Sequence, residues 1–346
     1  MFTLFALISL LNTQKPALTP AQTVNLRVIT FREMEVGALY ISSSGDVVCS
    51  AHDPDYRSKT SEYRALIWSN GKIAFPAADP QKPSQASTMN KRSETVGYTF
   101  FEGYRGTRAC IWRNGSVRNL GTFANGGDSS ADWINDHGDI VGTATDANQH
   151  QHAAFWSKGK LTDLGTLRGN ESFASCITNN GIIVGTALLN DDDFHPFVYK
   201  AGKMWDMFTN SKWSHGGASH INDRQEVVGH LMDGGYHKAF YWKNGKFTVL
   251  PTLGGNASAT CINNHGLIVG QSEVQYGKYR ACLWRKGVAY DLNKLVPAAM
   301  DIHLTDATGI NDKGQIAGIA YKRKNIPGKK YVQVGFVLQL PTSLLK

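Results

Sequence analysis

The sequence predicts an all-β protein: a seven-bladed β-propeller of four-stranded antiparallel blades, with the N-terminal strand completing the last blade. Three observations carry that expectation. A phrase of the form Ala-x-x-apolar-Asn-x-x-Gly recurs, with eroded copies, seven times. Its apolar residue falls at Ile41, Met89, Ile134, Ile177, Ile221, Ile262 and Ile310, at intervals of 41 to 48 residues. A second phrase alternates with it, an aromatic residue three before a glycine, as in Trp68/Gly71, Trp112/Gly115, Trp156/Gly159, Tyr199/Gly202, Trp242/Gly245 and Trp284/Gly287. The composition agrees: 42% apolar and 18% charged residues, with 35 glycines, 13 tyrosines and 8 tryptophans, suit many short strands joined by tight turns.

Each repeat reads as four strands in order. The first ends at the Ile-Asn, where a stretch such as "NNHG" makes a type I turn closed by a left-handed glycine. The second is the short apolar run "LIVG", and the third is the run ending in the aromatic residue. A further Gly turn returns the chain as the fourth, "TDLG" or "YDLN". These runs are four to six residues long and rich in Val, Ile, Trp and Tyr, the residues that fill a pleated surface. No stretch sustains a 3.6-residue period with caps, so helices should be few.

Four-stranded units repeating every 40 to 50 residues cannot each bury both faces alone, but stacked radially they can. An alanine stands three before every apolar centre: Ala38, Ala86, Ala131, Ala174, Ala218, Ala259 and Ala307. The innermost strands crowd toward the axis, and a larger side chain there would collide with the next blade. The third-strand Trp sits where the wedge is wider and fills it. Closure follows from what is left over. The seventh copy has strands at "GINDKGQIAG" and "VGFVLQL" but no fourth, while "NLRVITF" (25–31) precedes the first copy without a partner. A single domain over 23–346 results, preceded by a leader at 1–22.

The segments "HAAFWSKGKLTDLGTLRGNESFASCITNNGIIVG" and "KAFYWKNGKFTVLPTLGGNASATCINNHGLIVG" resemble the HAF-type extracellular repeat. The resemblance covers nearly the whole chain beyond Asn25 and is best in blades three to six; Ser93 and Gln225 depart from it at the turn glycine, Cys49 at the end of a second strand. It implies export and a repeat-built β fold, and no catalytic residues. The apolar block Phe2–Leu11 fits the core of a secretory signal, which together with the resemblance places the protein in the periplasm or outside the cell. No run of 18 apolar residues is present, so no transmembrane helix is expected.

The formal charge of +8 is spread singly along the chain, apart from "KRKNIPGKK" (322–330), and specific nucleic-acid binding is not expected. Tight turns occupy one face of such a disc and variable connections the other, so binding is expected on the variable-loop face. The expected partner is a polysaccharide or a cell-surface protein. The alternative is a polysaccharide lyase or glycosidase with its site at the axial mouth. The ligand pocket is expected at the axial mouth, where residues leading into the first strands or just leaving the second are the candidates: Glu35, His52, Tyr98, Asp128, Glu171, Trp213, His215, His230, Gln271, His303 and Tyr321. Aromatic rings with carboxylates and imidazoles bind sugars, and a His/Tyr pair can move a proton.

Arg64, Arg108, His152, His195, Lys238 and Arg280 begin the third strands. They read either as a cationic ring for an acidic glycan or as side chains bonding neighbouring loops. His150, His152 and His195 with Asp191–Asp193 show no metal-binding spacing, and no metal or cofactor is expected. The five cysteines fall within strands and read as buried apolar residues without disulfides. GxSxG, P-loop and dinucleotide-binding signatures are absent.

Overall fold

The computed structural model describes residues 25–345, apart from 53–62, 77–81, 105, 124–126, 191–192, 210 and 327–328. The expected leader therefore lies outside the described residues, as do Asp191 and Asp192. Seven four-stranded antiparallel sheets form the ring. Blade one holds Glu35–Ile41, Val47–His52, Arg64–Ser69 and Lys72–Ala74; blade two holds Ser84–Met89, Thr95–Thr99, Arg108–Arg113 and Ser116–Asn119. Blade three holds Ser129–Ile134, Ile140–Thr145, Gln151–Ser157 and Lys160–Asp163; blade four holds Ser172–Ile177, Ile183–Leu188, Phe194–Lys200 and Lys203–Asp206. Blade five holds Gly216–Ile221, Val227–Asp233, Tyr236–Lys243 and Lys246–Val249; blade six holds Ala257–Ile262, Ile268–Gln275, Lys278–Arg285 and Val288–Asp291.

Blade seven takes Ile302–Ile310, Gln315–Ile326 and Lys329–Gln339 from the end of the chain and Leu26–Ile29 from its beginning. Leu26 pairs with Leu338 and Ile29 with Gly335, antiparallel. The period-2 alternation of a strand sets its two faces. Leu26 and Val28 pack on the core between blades six and seven, whereas Ile29 enters the core between blades seven and one.

The apolar interior divides into seven clusters, one per seam between neighbouring blades. Each of the seven alanines is buried in the seam with the preceding blade, not the following one. Trp112, Trp156 and Trp284 reach back across the same seams.

The first strand of every blade bulges directly after its alanine, as between Ala131 and Trp133. The second strand answers with glycine in blades two to seven. A Cβ on Gly142 would lie 2.1 Å from the Ser130 carbonyl oxygen, an approach no side chain tolerates. The first turn explains the second glycine. Gly138, Gly181, Gly266 and Gly314 stand there with positive φ, and so do Ser93 (φ 59°) and Gln225 (φ 60°). Ser93→Gly and Gln225→Gly are each expected to stabilise the protein by about 0.5–1 kcal/mol, by relieving a left-handed conformation that costs an L-residue ~1–2 kcal/mol. A urea midpoint that stays put or falls would refute this.

Candidate functional site

The repeat asparagine does more than turn the chain. Asn135 accepts from the backbone N–H groups of His137 (3.0 Å) and Asp139 (2.9 Å), while its amide donates across the seam to the Thr178 carbonyl (3.1 Å). Asn90, Asn222, Asn263 and Asn311 do the same, to Asn135, Asn263, Asn311 and Ser42 respectively. Two runs of amide bonds result, from Asn90 through Asn135 to Thr178 and from Asn222 through Asn263 and Asn311 to Ser42, and the last bond (2.9 Å) crosses the closure seam. The next residue of the turn makes a second run, from Lys91 in blade two to Asp312 in blade seven. The Asp136 N–H donates to Asn179 Oδ1 (2.9 Å), Asp223 N–H to Asn264 Oδ1 (3.1 Å) and Asn264 N–H to Asp312 Oδ1 (2.8 Å).

These turn residues form the rim of an axial cavity of about 170 Å³ on the tight-turn face. Its floor is aromatic. Tyr40 meets Trp133 edge-on with centroids 5.1 Å apart, and Trp133 meets His220 at 4.7 Å. His220 accepts from the Ile262 N–H at Nδ1 (3.4 Å), and burial pushes its pKa down to about 4, so it is a neutral imidazole. The three rings come from blades one, three and five and meet edge to face, each against the next.

None of the residues proposed from sequence lines this cavity, because it opens on the opposite face. His52 Nε2 stands 3.6 Å from Glu35 Oε2, and its ring lies 5.2 Å from Tyr63. Tyr98 donates to Gln85 Oε1 (2.6 Å) within its own blade. Trp213 packs between Phe208 and Phe247, and His215 against Phe194. His230 stacks near His237 (5.8 Å); burial, then the neighbouring His237 and His215, push its pKa down to about 4. His303 lies against Tyr331, Tyr321 is exposed, and Glu171 and Gln271 are half-buried. Among the described residues, no three His, Cys, Asp or Glu side chains gather as metal ligands. All five cysteines are buried free thiols.

Asp128 lines a groove of about 430 Å³ formed mainly by blades three and four, with Thr107 of blade two at its edge. Beside it is a carboxyl that the sequence reading passed over. Asp132 is the bulged residue of its strand, and burial pushes its pKa up to about 6, against one opposing hydrogen bond from Ser130 (3.3 Å). Asp306, on the first strand of blade seven, is pushed up to about 6 by burial as well. A carboxyl whose folded pKa exceeds its unfolded value binds more protons when folded, so stability falls as pH rises from about 4 to 6. Asp132→Asn is therefore expected to stabilise the protein by about 1–3 kcal/mol at pH 7.5 and by almost nothing at pH 3.5. Thermal melts at the two pH values check this, and an equal shift at both would contradict it.

The variable-loop face carries seven of the eight exposed aromatics among the described residues; the eighth, Trp205, stands on the outer strand of blade four. Tyr63, Phe100, Tyr104, Tyr236, Tyr276, Tyr321 and Tyr331 all stand at or near the connections between second and third strands, and Tyr276 is 97% exposed. Among the described residues, no exposed aromatic ring lies at the tight-turn face. Lys238 approaches the Tyr236 ring (5.1 Å) and Lys82 the Phe101 ring (6.0 Å), while Lys278, Lys322 and Arg323 are exposed nearby.

Fold and site together define a seven-bladed β-propeller with one aromatic, loop-bearing face and one amide-laced face. No family model matches the sequence, and no curated protein is similar to it. Among solved structures it is similar to a puromycin hydrolase, with 10% identity and a TM-score of 0.61 over 87% of this chain and 51% of that one. It is also similar to a puromycin-hydrolyzing peptidase of Mycobacterium tuberculosis, with 10% identity and a TM-score of 0.58 over 83% and 49%. TolB from Acinetobacter baumannii matches with 14% identity and a TM-score of 0.51 over 73% and 62%. The chain spans about half to three-fifths of the length of these proteins, and at such identities the likeness shows the fold alone. No helix among the described residues is long and apolar enough to cross a membrane.

Proposed function

We propose that the protein is an exported binding propeller that holds a polysaccharide of the cell surface or its surroundings on the variable-loop face. The observation that carries this reading is the gathering of seven exposed aromatic side chains on that face. Isolated exposed apolar residues need no explanation, but a set of rings confined to one side of a molecule marks a contact surface. Tyrosine supplies rigid stacking area with a hydroxyl for hydrogen bonding. The resemblance to the HAF-type repeat and the apolar block Phe2–Leu11 support export.

The test is an array of acidic and neutral polysaccharides probed with the intact chain. The variant carrying Tyr236→Ser and Tyr276→Ser should bind at least tenfold more weakly, about 1.4 kcal/mol or more for rings at a contact. Trp205→Ser, on an outer strand of blade four, should bind as the wild type does. Equal binding by all three proteins would refute the assignment to this face. A lyase or glycosidase is the second reading, favoured by Asp132, since a carboxyl titrating near 6 suits proton transfer close to neutrality. Release of unsaturated or reducing ends, lost in Asp132→Asn, would establish it instead.

A further inference from the structure

The side chains that begin the third strands are not equivalent. In blade three His152 Nδ1 meets Asp163 Oδ2 at 2.8 Å, and in blade four His195 Nδ1 meets both oxygens of Asp206 at 3.0 Å. The aspartate holds one fixed place, near the end of the fourth strand: Ala154 pairs with Asp163 and Phe197 with Asp206. In blade two the same register pairs Cys110 with Asn119, a neutral residue. Yet the base it should answer, Arg108, keeps its charge and is 1% exposed.

Among the described residues only the face of the Tyr104 ring, 5.1 Å away, meets that charge. Nη1 donates to the Thr107 carbonyl (2.8 Å), and the buried Nη2 has no acceptor. No carboxylate among the described residues lies within ion-pairing distance of it. Asn119 Oδ1 accepts from the Gly121 N–H (2.8 Å). The carboxylate of Asp128 is directed at the Thr107 N–H (2.6 Å) and hydroxyl (3.1 Å). A guanidinium cannot shed its proton to escape this situation, as a buried lysine or histidine does. An uncompensated buried charge is among the most destabilising features a fold can carry. Such a group persists where something outside the chain supplies the counter-charge.

We infer that Arg108 is an oxyanion subsite of the loop face, taking a carboxylate or sulfate group borne by an acidic polysaccharide. The polymer in this statement rests on the function proposed above; the anion does not. The planar fork of a guanidinium matches two oxygens of such a group at once. What covers it now is the ring of Tyr104, its centroid 5.1 Å from the guanidinium carbon, in a segment held by a Tyr104 N–H to Phe101 carbonyl bond (3.2 Å). Tyr104 is itself exposed, and so is Phe100 beside it. A turn of the Tyr104 side chain uncovers the fork, and the anion then enters between two aromatic rings, where the body of a sugar finds apolar contact.

The repeat supplies its own test, because Asn119→Asp installs the carboxylate that blades three and four already have. Calorimetry on the intact chain would compare tri-galacturonate with its methyl ester, and thermal melts would follow added sodium sulfate. The wild type should bind the acid at least tenfold more tightly than the ester, and sulfate should raise its melting temperature. Asn119→Asp should melt at or above the wild type without sulfate, gain less than the wild type from low-millimolar sulfate, where the general salt effect is small, and bind acid and ester alike. Arg108→Gln should also lose the discrimination, which covers a failure of the first variant to fold. Discrimination retained in both variants, or no response of the wild type to either probe, would overturn the subsite. Sulfate stabilisation confined to the wild type, with neither oligosaccharide bound, would uphold the anion site and overturn the polysaccharide reading.

Discussion

Ile29→Asp is expected to open the ring, with a loss of more than 4 kcal/mol. Ile29 is 1% exposed and enters the seam between blades seven and one among Val36, Ala38, Leu66 and Val337. It pairs with Gly335, whose absent Cβ leaves the space it fills: a Cβ there would stand 3.2 Å from that of Ile29. A carboxylate in this position loses its hydration and meets no donor, the kind of substitution behind the largest single-residue losses. The loss falls on the one seam where sequence-distant strands must meet, so opening it frees two blade faces at once. The total stability of a folded domain is about 5–15 kcal/mol, so such a change removes a large share. The urea midpoint, followed by tryptophan fluorescence, measures it against two controls. Ile29→Val should cost about 0.5–1.5 kcal/mol. Arg27→Ala, which removes only a guanidinium 5.9 Å from the Trp68 ring, should cost less than about 1 kcal/mol. If Ile29→Asp fell within the range of those controls, the N-terminal strand would not be what holds the ring together.

That this strand completes blade seven could be read in advance, and the reason is physical. A repeat that must bury two faces per sheet leaves a countable deficit when one copy lacks a strand, and the sequence held one spare strand. The seven alanines were legible for the same reason, although they press on the preceding blade and not the following one. Ser93 and Gln225 kept the left-handed conformation of the glycines they replace because the hairpin imposes it. The asparagine was only half legible. Its backbone bonds are local and follow from turn chemistry. Its amide bond to the next blade depends on a neighbour about 43 residues away, as from Asn135 to Thr178, and no local pattern announces that. A pocket at the axial mouth was expected, but from residues on the variable-loop side, and none of those lines the axial cavity. The cavity lies on the invariant face, floored by Tyr40, Trp133 and His220, which occupy one repeat position in alternate blades. The unpaired charge of Arg108 was equally hidden. It shows only when blade two is set beside blades three and four, where Asp163 and Asp206 mark what Asn119 lacks.

Trp284 and Trp156 hold the same slot of the repeat, and their expected responses differ. Trp284 is 1% exposed in the seam between blades five and six, against Ala239, Ala259, Ile262 and Ile268, and its indole N–H donates to the Pro251 carbonyl at 2.7 Å. Trp156 is equally enclosed between blades two and three, but its indole N–H has no acceptor. Truncation to alanine removes a large apolar side chain from either seam, a loss of about 3–5 kcal/mol each. Phenylalanine separates the two, since it keeps most of the ring and deletes the donor. Trp284→Phe loses the hydrogen bond to the Pro251 carbonyl as well as volume, and should cost about 0.5–1.5 kcal/mol more than the volume change alone. Trp156→Phe removes a buried donor that had nothing to bond, so its volume loss is offset and the protein should stay within about 1 kcal/mol of the wild type. Denaturant midpoints of the four variants decide the matter. Equal losses for the two phenylalanine variants would mean that ring volume alone governs these seams, and that the Trp284–Pro251 bond contributes nothing to holding blade six against blade five.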